Sequence, residues 1–231
     1  MSLKVALFDL DNTIYPASSG LMQMVDVRIT AFVQEQLGIS QEEAAALRRE
    51  YFRTYGTTLR GLQQHYTIDA EQYLRYVHDI AIESYLASDA ELDHLLEELP
   101  LRKVIFTNSP REYAERVLRI IGIERHFEAI FDIRSFNFVA KPDPQAYTYV
   151  LGTLGVEGPE CLMIEDTLFN LGPARELGMT TIFVSAGTVL RGRRRNGRPL
   201  PADYVAPDVL AAIRLAARLA EAEHKIERTS R

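Results

Sequence analysis

Residues 3–13 read LKVALFDLDNT, a short and mostly apolar run that opens at once into acidic residues. A run of this length, closed by polar turn residues, predicts a strand buried on both faces of a parallel sheet. Residues two apart in an extended chain face the same way, so Asp9 and Asp11 are expected to point into one cleft and Leu10 away from it. Four later runs share this character: KVIFT at 103–107, AIFD at 129–132, CLMIE at 161–165 and MTTIFV at 179–184. Helical patterns at 110–121, 143–155 and 170–177 separate them. Strands alternating with helices predict an α/β fold, a parallel sheet with helices on both faces.

The stretch 17–88 behaves differently. Apolar residues recur at helical spacing at Met22, Val25, Ile29, Phe32, Val33 and Leu37, then come the run EEAAALRREYF and a further helical stretch at 69–86, with no strand among them. This is the pattern of an inserted all-helical cap domain at 17–88, with 1–16 and 89–231 forming the core. A lobe inserted there lies over the carboxyl end of the first strand, where open parallel sheets bind ligands. Towards the end of the chain stand a basic loop, RGRRRNGR at 191–198, a strand candidate at 204–206 and an Ala-rich helix at 208–224 that presents Leu210, Ile213, Ala217 and Ala220 to a sheet face.

Composition narrows the function classes. The 231 residues are 47% hydrophobic and 25% charged, the balance of an ordinary soluble protein. A net charge of -6 disfavours nucleic acid or an anionic membrane as partner, and the arginines of 191–198 lack interleaved aromatic residues for base stacking, so they read as a solvated loop. An anionic substrate would need local help from a metal or a well-placed lysine. The single cysteine, Cys161, excludes an intramolecular disulfide and a cysteine-based zinc cluster and reads as a buried thiol. The five histidines, at 65, 78, 94, 126 and 224, form no metal-binding or nucleophile motif and read as surface or structural groups, with His65 and His78 the two that could reach the cap side of the cleft. With no secretory leader before the first strand and no run of 18 apolar residues, a cytoplasmic monomer or homodimer is expected.

Chemistry concentrates in four pieces. Asp9 and Asp11 are two carboxyls in one cleft, one able to attack phosphorus and the other to handle the proton on the leaving oxygen. Glu165 and Asp166 end the CLMI run, and if the two strands are neighbours, Asp9 and Asp166 can hold a hard, oxygen-preferring cation such as magnesium. Thr107 and Asn108 follow the KVIF strand just before a helix starting near Pro110, so a hydroxyl and free backbone N–H groups would meet an anion. Lys141, in VAKPDP, offers a point positive charge for a phosphoryl oxygen. Singly these pieces have ordinary readings as an acidic turn, a helix cap, a solvated lysine and a surface turn. Together, at successive strand ends, they converge on a phosphate and metal site.

At this point the chain resembles the haloacid dehalogenase-like hydrolases, through FDLDNT at 8–13, FTNS at 106–109, KPDP at 141–144 and IEDTLFN at 164–170. The resemblance implies a Rossmann-like core with a helical cap between its first two strands. It implies that Asp9 forms an aspartyl-phosphate and binds Mg2+, and that Asp11 is general acid, then general base, with its backbone carbonyl on the ion. Thr107 and Lys141 would hold the phosphoryl group, Lys141 also steadying Asp9. Asp166 would ligate magnesium, and Glu165 would do so directly or through water. The phosphate-binding set is then Asp9, Leu10, Asp11, Thr107, Asn108 and Lys141. Where some members carry an acidic residue, this chain has Asn170, so a third carboxylate is not expected. Asp11 sets the chain apart from the dehalogenases of the group and favours phosphatase chemistry.

More finely, FDLDNTIYP at 8–16 and YGTTLRGL at 55–62 resemble the pyrimidine 5'-nucleotidase-like group, which implies a nucleotide such as UMP or CMP as the small phosphorylated partner. The substrate-specificity residues of that reading are Tyr15, Thr57, Thr58 and Arg60. The same threonines read equally well as helix-end partners, with Arg60 facing solvent. A sugar-phosphate or other small-metabolite phosphatase is the alternative; a phosphomutase or a non-catalytic phosphate-binding regulator stands further off.

Overall fold

In the computed structural model, which describes residues 2–186, 194–195, 198–199 and 202–229, the first strand, β1 (Val5–Phe8), is buried along its whole length. Five α-helices separate it from the next strand, the first four being α1 (Leu21–Leu37), α2 (Gln41–Tyr55), α3 (Thr58–His65) and α4 (Ala70–Val77). Then come α5 (Ala90–Glu98), β2 (Arg102–Phe106), α6 (Arg111–Ile121), β3 (Ala129–Phe131), α7 (Pro144–Leu154), β4 (Cys161–Glu165), α8 (Leu168–Glu176) and β5 (Thr180–Val184). A two-residue ribbon, β6 (Arg194–Arg195) with β7 (Arg198–Pro199), precedes β8 (Tyr204–Ala206) and α9 (Val209–Thr229).

The main sheet has the order β3-β2-β1-β4-β5-β8, and every neighbouring pair in it is parallel. Phe8 is paired with Ile105 on one side and Ile164 on the other, so the ends of β1, β2 and β4 lie level. The chain runs outward from β1 to β3, then returns to β4 on the opposite side. The gap beyond β1 and β4 is therefore the topological switch point, the place where parallel sheets open a crevice at their carboxyl ends.

Alternation along the strands divides the apolar interior into two layers. Ala6, Phe8, Ile105, Ile164 and Ile182 pack with Tyr113, Val117, Ile213 and Ala216 of α6 and α9. Val5, Leu7, Val104, Phe106 and Met163 pack with Tyr147, Val150 and Leu171 of α7 and α8. The fold is thus the expected parallel sheet between helices, with an all-helical cap inserted after β1. Cap residues Phe32, Tyr51, Leu62 and Tyr73 join the second layer, and Leu21, Val25, Ile80 and Ile82 join the first.

Local signals explain the helix limits. Ser40 and Glu43 form a reciprocal capping box at the start of α2, and Asp69 caps α4 by accepting from Glu71 and Gln72 N–H. The stretch expected to be helical over 69–86 breaks at Val77, because Ile80 and Ile82 turn down onto the core, leaving a short 3-10 turn at Ile82–Ser84. The helix α8 starts at Leu168 rather than at 170, after Thr167, and α9 runs on past the expected 224. Cys161 is buried, and burial pushes its thiol up to about 12. The expectation for the loop 191–198 lies outside the described side chains. No helix among the described residues is long and apolar enough to cross a membrane.

Gly61 of α3 faces Tyr51 of α2 so closely that an added Cβ would stand 2.3 Å from the Tyr51 ring root, and Tyr51 is buried. Gly61→Ala should therefore destabilise the protein by about 1–3 kcal/mol through overpacking, despite the better helix propensity of alanine. A denaturant midpoint that does not fall would show that α2 and α3 separate freely.

Candidate active site at the ends of the central strands

The turn after β1 is built by its own sequence. Asp9 N–H still bonds to Ile164 C=O at 3.0 Å, keeping Asp9 in the sheet, while Thr13 and Ile14 N–H both return to Leu10 C=O. Asn12 takes φ 59°, a left-handed conformation that asparagine tolerates better than most residues. Asp9 and Asp11 both line the cavity above the strands, and Leu10 is fully buried away from solvent.

A single buried ammonium connects three strand ends. Lys141 Nζ donates to Asp9 Oδ1 at 2.8 Å, to Glu165 Oε2 at 2.8 Å and to Phe106 C=O at 2.7 Å. Its three protons are all engaged. Burial alone would lower its pKa, but the Asp9 and Glu165 charges outweigh burial and hold it above the ordinary lysine range. The loop carrying it is clamped by Asn108, whose amide donates to Lys141 C=O at 3.0 Å and accepts from Lys141 N–H at 2.9 Å. Thr13 donates to the other oxygen of Asp9 at 3.0 Å.

Thr107 differs from the expected arrangement in one respect. Its N–H is not free: it bonds to Phe131 C=O at 2.9 Å, and its fully buried hydroxyl accepts from Ser109 N–H at 3.0 Å. The β2 ladder extends one residue further than its last paired side chain, which uses that donor.

Carboxylates of Asp9, Glu165 and Asp166 each offer an oxygen, and these lie within 4.8 Å of one another. Glu165 is buried, with its second oxygen accepting from Thr167 N–H at 3.0 Å. Three carboxyls share one lysine, and the surplus appears at Asp166, pushed up to about 9 by burial and by the Glu165 and Asp9 charges. A set of hard oxygen donors carrying uncompensated negative charge fits a divalent cation such as magnesium.

Around Asp11 stand residues that sequence reading assigned otherwise or passed over. Ser109 Oγ donates to Asp11 Oδ2 at 2.6 Å, and the hydroxyls of Tyr15 and Tyr113 both reach Asp11 Oδ1, the latter at 3.1 Å. Burial pushes the Asp11 carboxyl up, and Ser109 and the two tyrosines oppose that rise. Tyr15 is only 2% exposed and is directed at Asp11, so the structure places it beneath the cavity rather than among its walls. Ser109 was visible inside FTNS. Tyr113, four residues later, carried no signal beyond one helical turn of spacing.

The cap closes the cavity, which holds about 280 Å³. Thr57 and Thr58 line it, Thr57 also capping α3 through Arg60 N–H and Thr58 bonding to Arg48 C=O at 3.4 Å. Arg60 lines the adjoining cleft instead, paired with Asp143 of the core at 3.0 Å rather than facing solvent. Gly56, at φ 84°, lets the cap approach so closely that an added Cβ would stand 2.7 Å from Lys141 O. On the other flank Arg134 joins Glu71 of the cap at 2.7 Å and Glu112 of the core at 2.9 Å. Of the histidines, His78 lines the cavity, with burial lowering it to about 4, whereas His65 stacks on Tyr51 and His126 bonds Asp93 at 2.7 Å. The His224 side chain lies outside the described residues.

Known proteins resemble this chain in sequence and in fold. The chain is 29% identical over 191 residues to phosphate metabolism protein 8 of Saccharomyces cerevisiae, covering 76% of this chain and 60% of the yeast protein, so it spans less than two thirds of that relative. It is 25% identical to a phosphoglycolate phosphatase of Vibrio parahaemolyticus, over 90% of this chain and 92% of the other. A crystal structure of a phosphatase from Thermococcus onnurineus superposes with a TM-score of 0.62 at 21% identity, covering 92% of this chain and 97% of that one, which shows the shared fold. The haloacid dehalogenase-like hydrolase family matches residues 3–178, most of the core and the whole cap, and the chain belongs to that family.

Proposed function

We propose that the chain is a magnesium-dependent phosphatase for a small phosphorylated metabolite, working through an aspartyl-phosphate at Asp9. The observation that carries the reading is the pair Asp9 and Asp11 at one cavity, with Asp9 held by Lys141 and Thr13 and flanked by Glu165 and Asp166. Cap residues Thr57, Thr58 and Tyr73 line the cavity over this pair and would wall in the leaving group. Relatives that include a phosphoglycolate phosphatase support a small-metabolite substrate.

In this reading Asp9 attacks phosphorus while the bond to the leaving oxygen breaks, and Asp11 gives its proton to that oxygen. Asp11 then takes a proton from the attacking water, the Asp9–phosphorus bond breaks, and inorganic phosphate leaves. Burial pushes the Asp9 carboxyl up and Lys141 opposes that rise and orients it, and Thr107, Asn108 and the Leu10 backbone complete the phosphate cradle. Asp9, Glu165, Asp166 and the Asp11 backbone carbonyl would hold magnesium, which when bound offsets the charge of the phosphate against that of the carboxylates.

A narrower reading takes pyrimidine 5'-monophosphates as substrates. Two things support it: the YGTTLRGL cap segment that meets the Lys141 loop, and the side chains of Phe52 and Phe169, 50% and 62% exposed, which line the cleft adjoining the cavity. Exposed rings at a cleft suit a planar base.

Asp9→Asn should lower magnesium-dependent phosphate release by several orders of magnitude, because the nucleophile itself is lost. Near-normal turnover by that variant would remove the nucleophile assignment. Chelation of the wild-type protein should abolish phosphate release and added magnesium should restore it; activity indifferent to chelation would refute the metal. On a panel of UMP, CMP, AMP, GMP and sugar phosphates, higher kcat/KM for the two pyrimidine nucleotides is expected from the narrower reading, and preference for sugar phosphates would discard it while leaving the phosphatase intact.

A further inference from the structure

The Asp11 carboxylate has four lone-pair positions, and its neighbours do not fill them evenly. Over Oδ1 stand two phenol oxygens, of Tyr15 and of Tyr113, themselves 3.0 Å apart. Over Oδ2 stands one hydroxyl, Ser109, at 2.6 Å. The Tyr15 proton goes to Oδ1. That of Tyr113 has Oδ1 at 3.1 Å and the Tyr15 oxygen at 3.0 Å within reach, and with either choice the two phenols occupy the approach to Oδ1.

The rings that carry these phenols are fixed by packing. Tyr15 and Tyr113 are 2% and 1% exposed and sit in the apolar layer shared by β1, α6 and α9. Across the domain boundary the His78 ring of the cap lies against Tyr113, with centroids 4.7 Å apart, and His78 is itself tied to Leu74 C=O at 2.9 Å. A buried hydroxyl without a partner is costly, so the burial of both rings ties each phenol to the Asp11 cluster.

We propose that Tyr15 and Tyr113 are positioning residues that occupy Oδ1 of Asp11, so that Oδ2, with one lone pair left beside Ser109, is the oxygen that delivers and recovers the proton. The proposal rests on the phosphatase reading for the meaning of that proton. In the first half-reaction the Oδ2–H bond breaks as the leaving oxygen takes the proton; in the second, water gives its proton back to Oδ2. Losing the phenols leaves the carboxylate in place in the chain but free to rotate, which degrades proton delivery without touching Asp9.

The test uses Tyr15→Phe, Tyr113→Phe and the double variant of the full chain, with kcat/KM measured for alkyl phosphates, which need a proton on departure, and for p-nitrophenyl phosphate, which does not. The expected result is a loss of about tenfold or more on alkyl esters and under about threefold on the p-nitrophenyl ester, within the range that general acid catalysis supplies. Equal losses on both substrates, or none, would overturn the proposal, the first by showing a merely structural role. A crystal structure of the double variant should show the Asp11 carboxylate rotated from its wild-type position, and an unmoved carboxylate would also overturn it. Should the wild-type protein release phosphate from no ester, the phosphatase reading fails by itself, and the carboxylate's position in that crystal still decides whether the phenols hold it.

Discussion

The Lys141 ammonium is the group on which the rest of the site depends. It is buried at the meeting of β1, β2 and β4 and joins a side chain or carbonyl from each: Asp9, Phe106 and Glu165. Two carboxylates brought this close inside a protein repel one another, and burial penalises each charge separately. The ammonium opposes both effects at once, and its fixed donors leave Asp9 one preferred orientation. The lysine belongs to a loop rather than a strand, so its own placement is secondary to the Asn108 clamp that ties that loop to the end of β2.

The cap is registered to the same loop. Gly56 rests on the Lys141 backbone, Arg60 pairs with Asp143 two residues along, and Arg134 bridges Glu71 and Glu112 on the opposite flank. Contacts on both sides of the cavity make the cap's position and the position of Lys141 parts of one arrangement. The cavity walls then combine cap and core: Asp26 and Arg48, paired with each other, lie on the cap side, and Asp9, Asp11 and Asp166 on the core side. Under the proposed phosphatase reading, the cap would surround a leaving group while the core holds its phosphate, so substrate preference and chemistry could vary independently.

Much of the fold was legible because the physics is local. The run VALF before Asp9 is buried on both faces, as a doubly covered strand requires, and the paired carboxyls of 9 and 11 follow from the period of an extended chain. Pro110 marked the start of α6, and the structure adds the Ser40 capping box at α2 and the Asp143 cap with Pro144 at α7. The misjudged limits have tertiary causes: the chain beyond Val77 leaves helix because Ile80 and Ile82 are drawn onto the core. Tyr15 looked like a cleft residue by its place after the first motif, yet its hydroxyl finds Asp11 because the ring is pulled into the apolar layer beneath.

The sequence alone determined the alternation of the main strands with helices, the insertion of the cap, and the identity of the acidic residues and lysine, since these follow from periodicity, turn chemistry and motif spacing; the helices α3 and α5 were not read from it. It could not determine which groups those residues touch. Tyr113 is 102 positions from Asp11, and Lys141 is 132 from Asp9, so nothing local encodes their contacts. Only the parallel register of β1, β2 and β4, level at their carboxyl ends, brings such distant groups within hydrogen-bonding range and decides which partner each carboxylate oxygen meets.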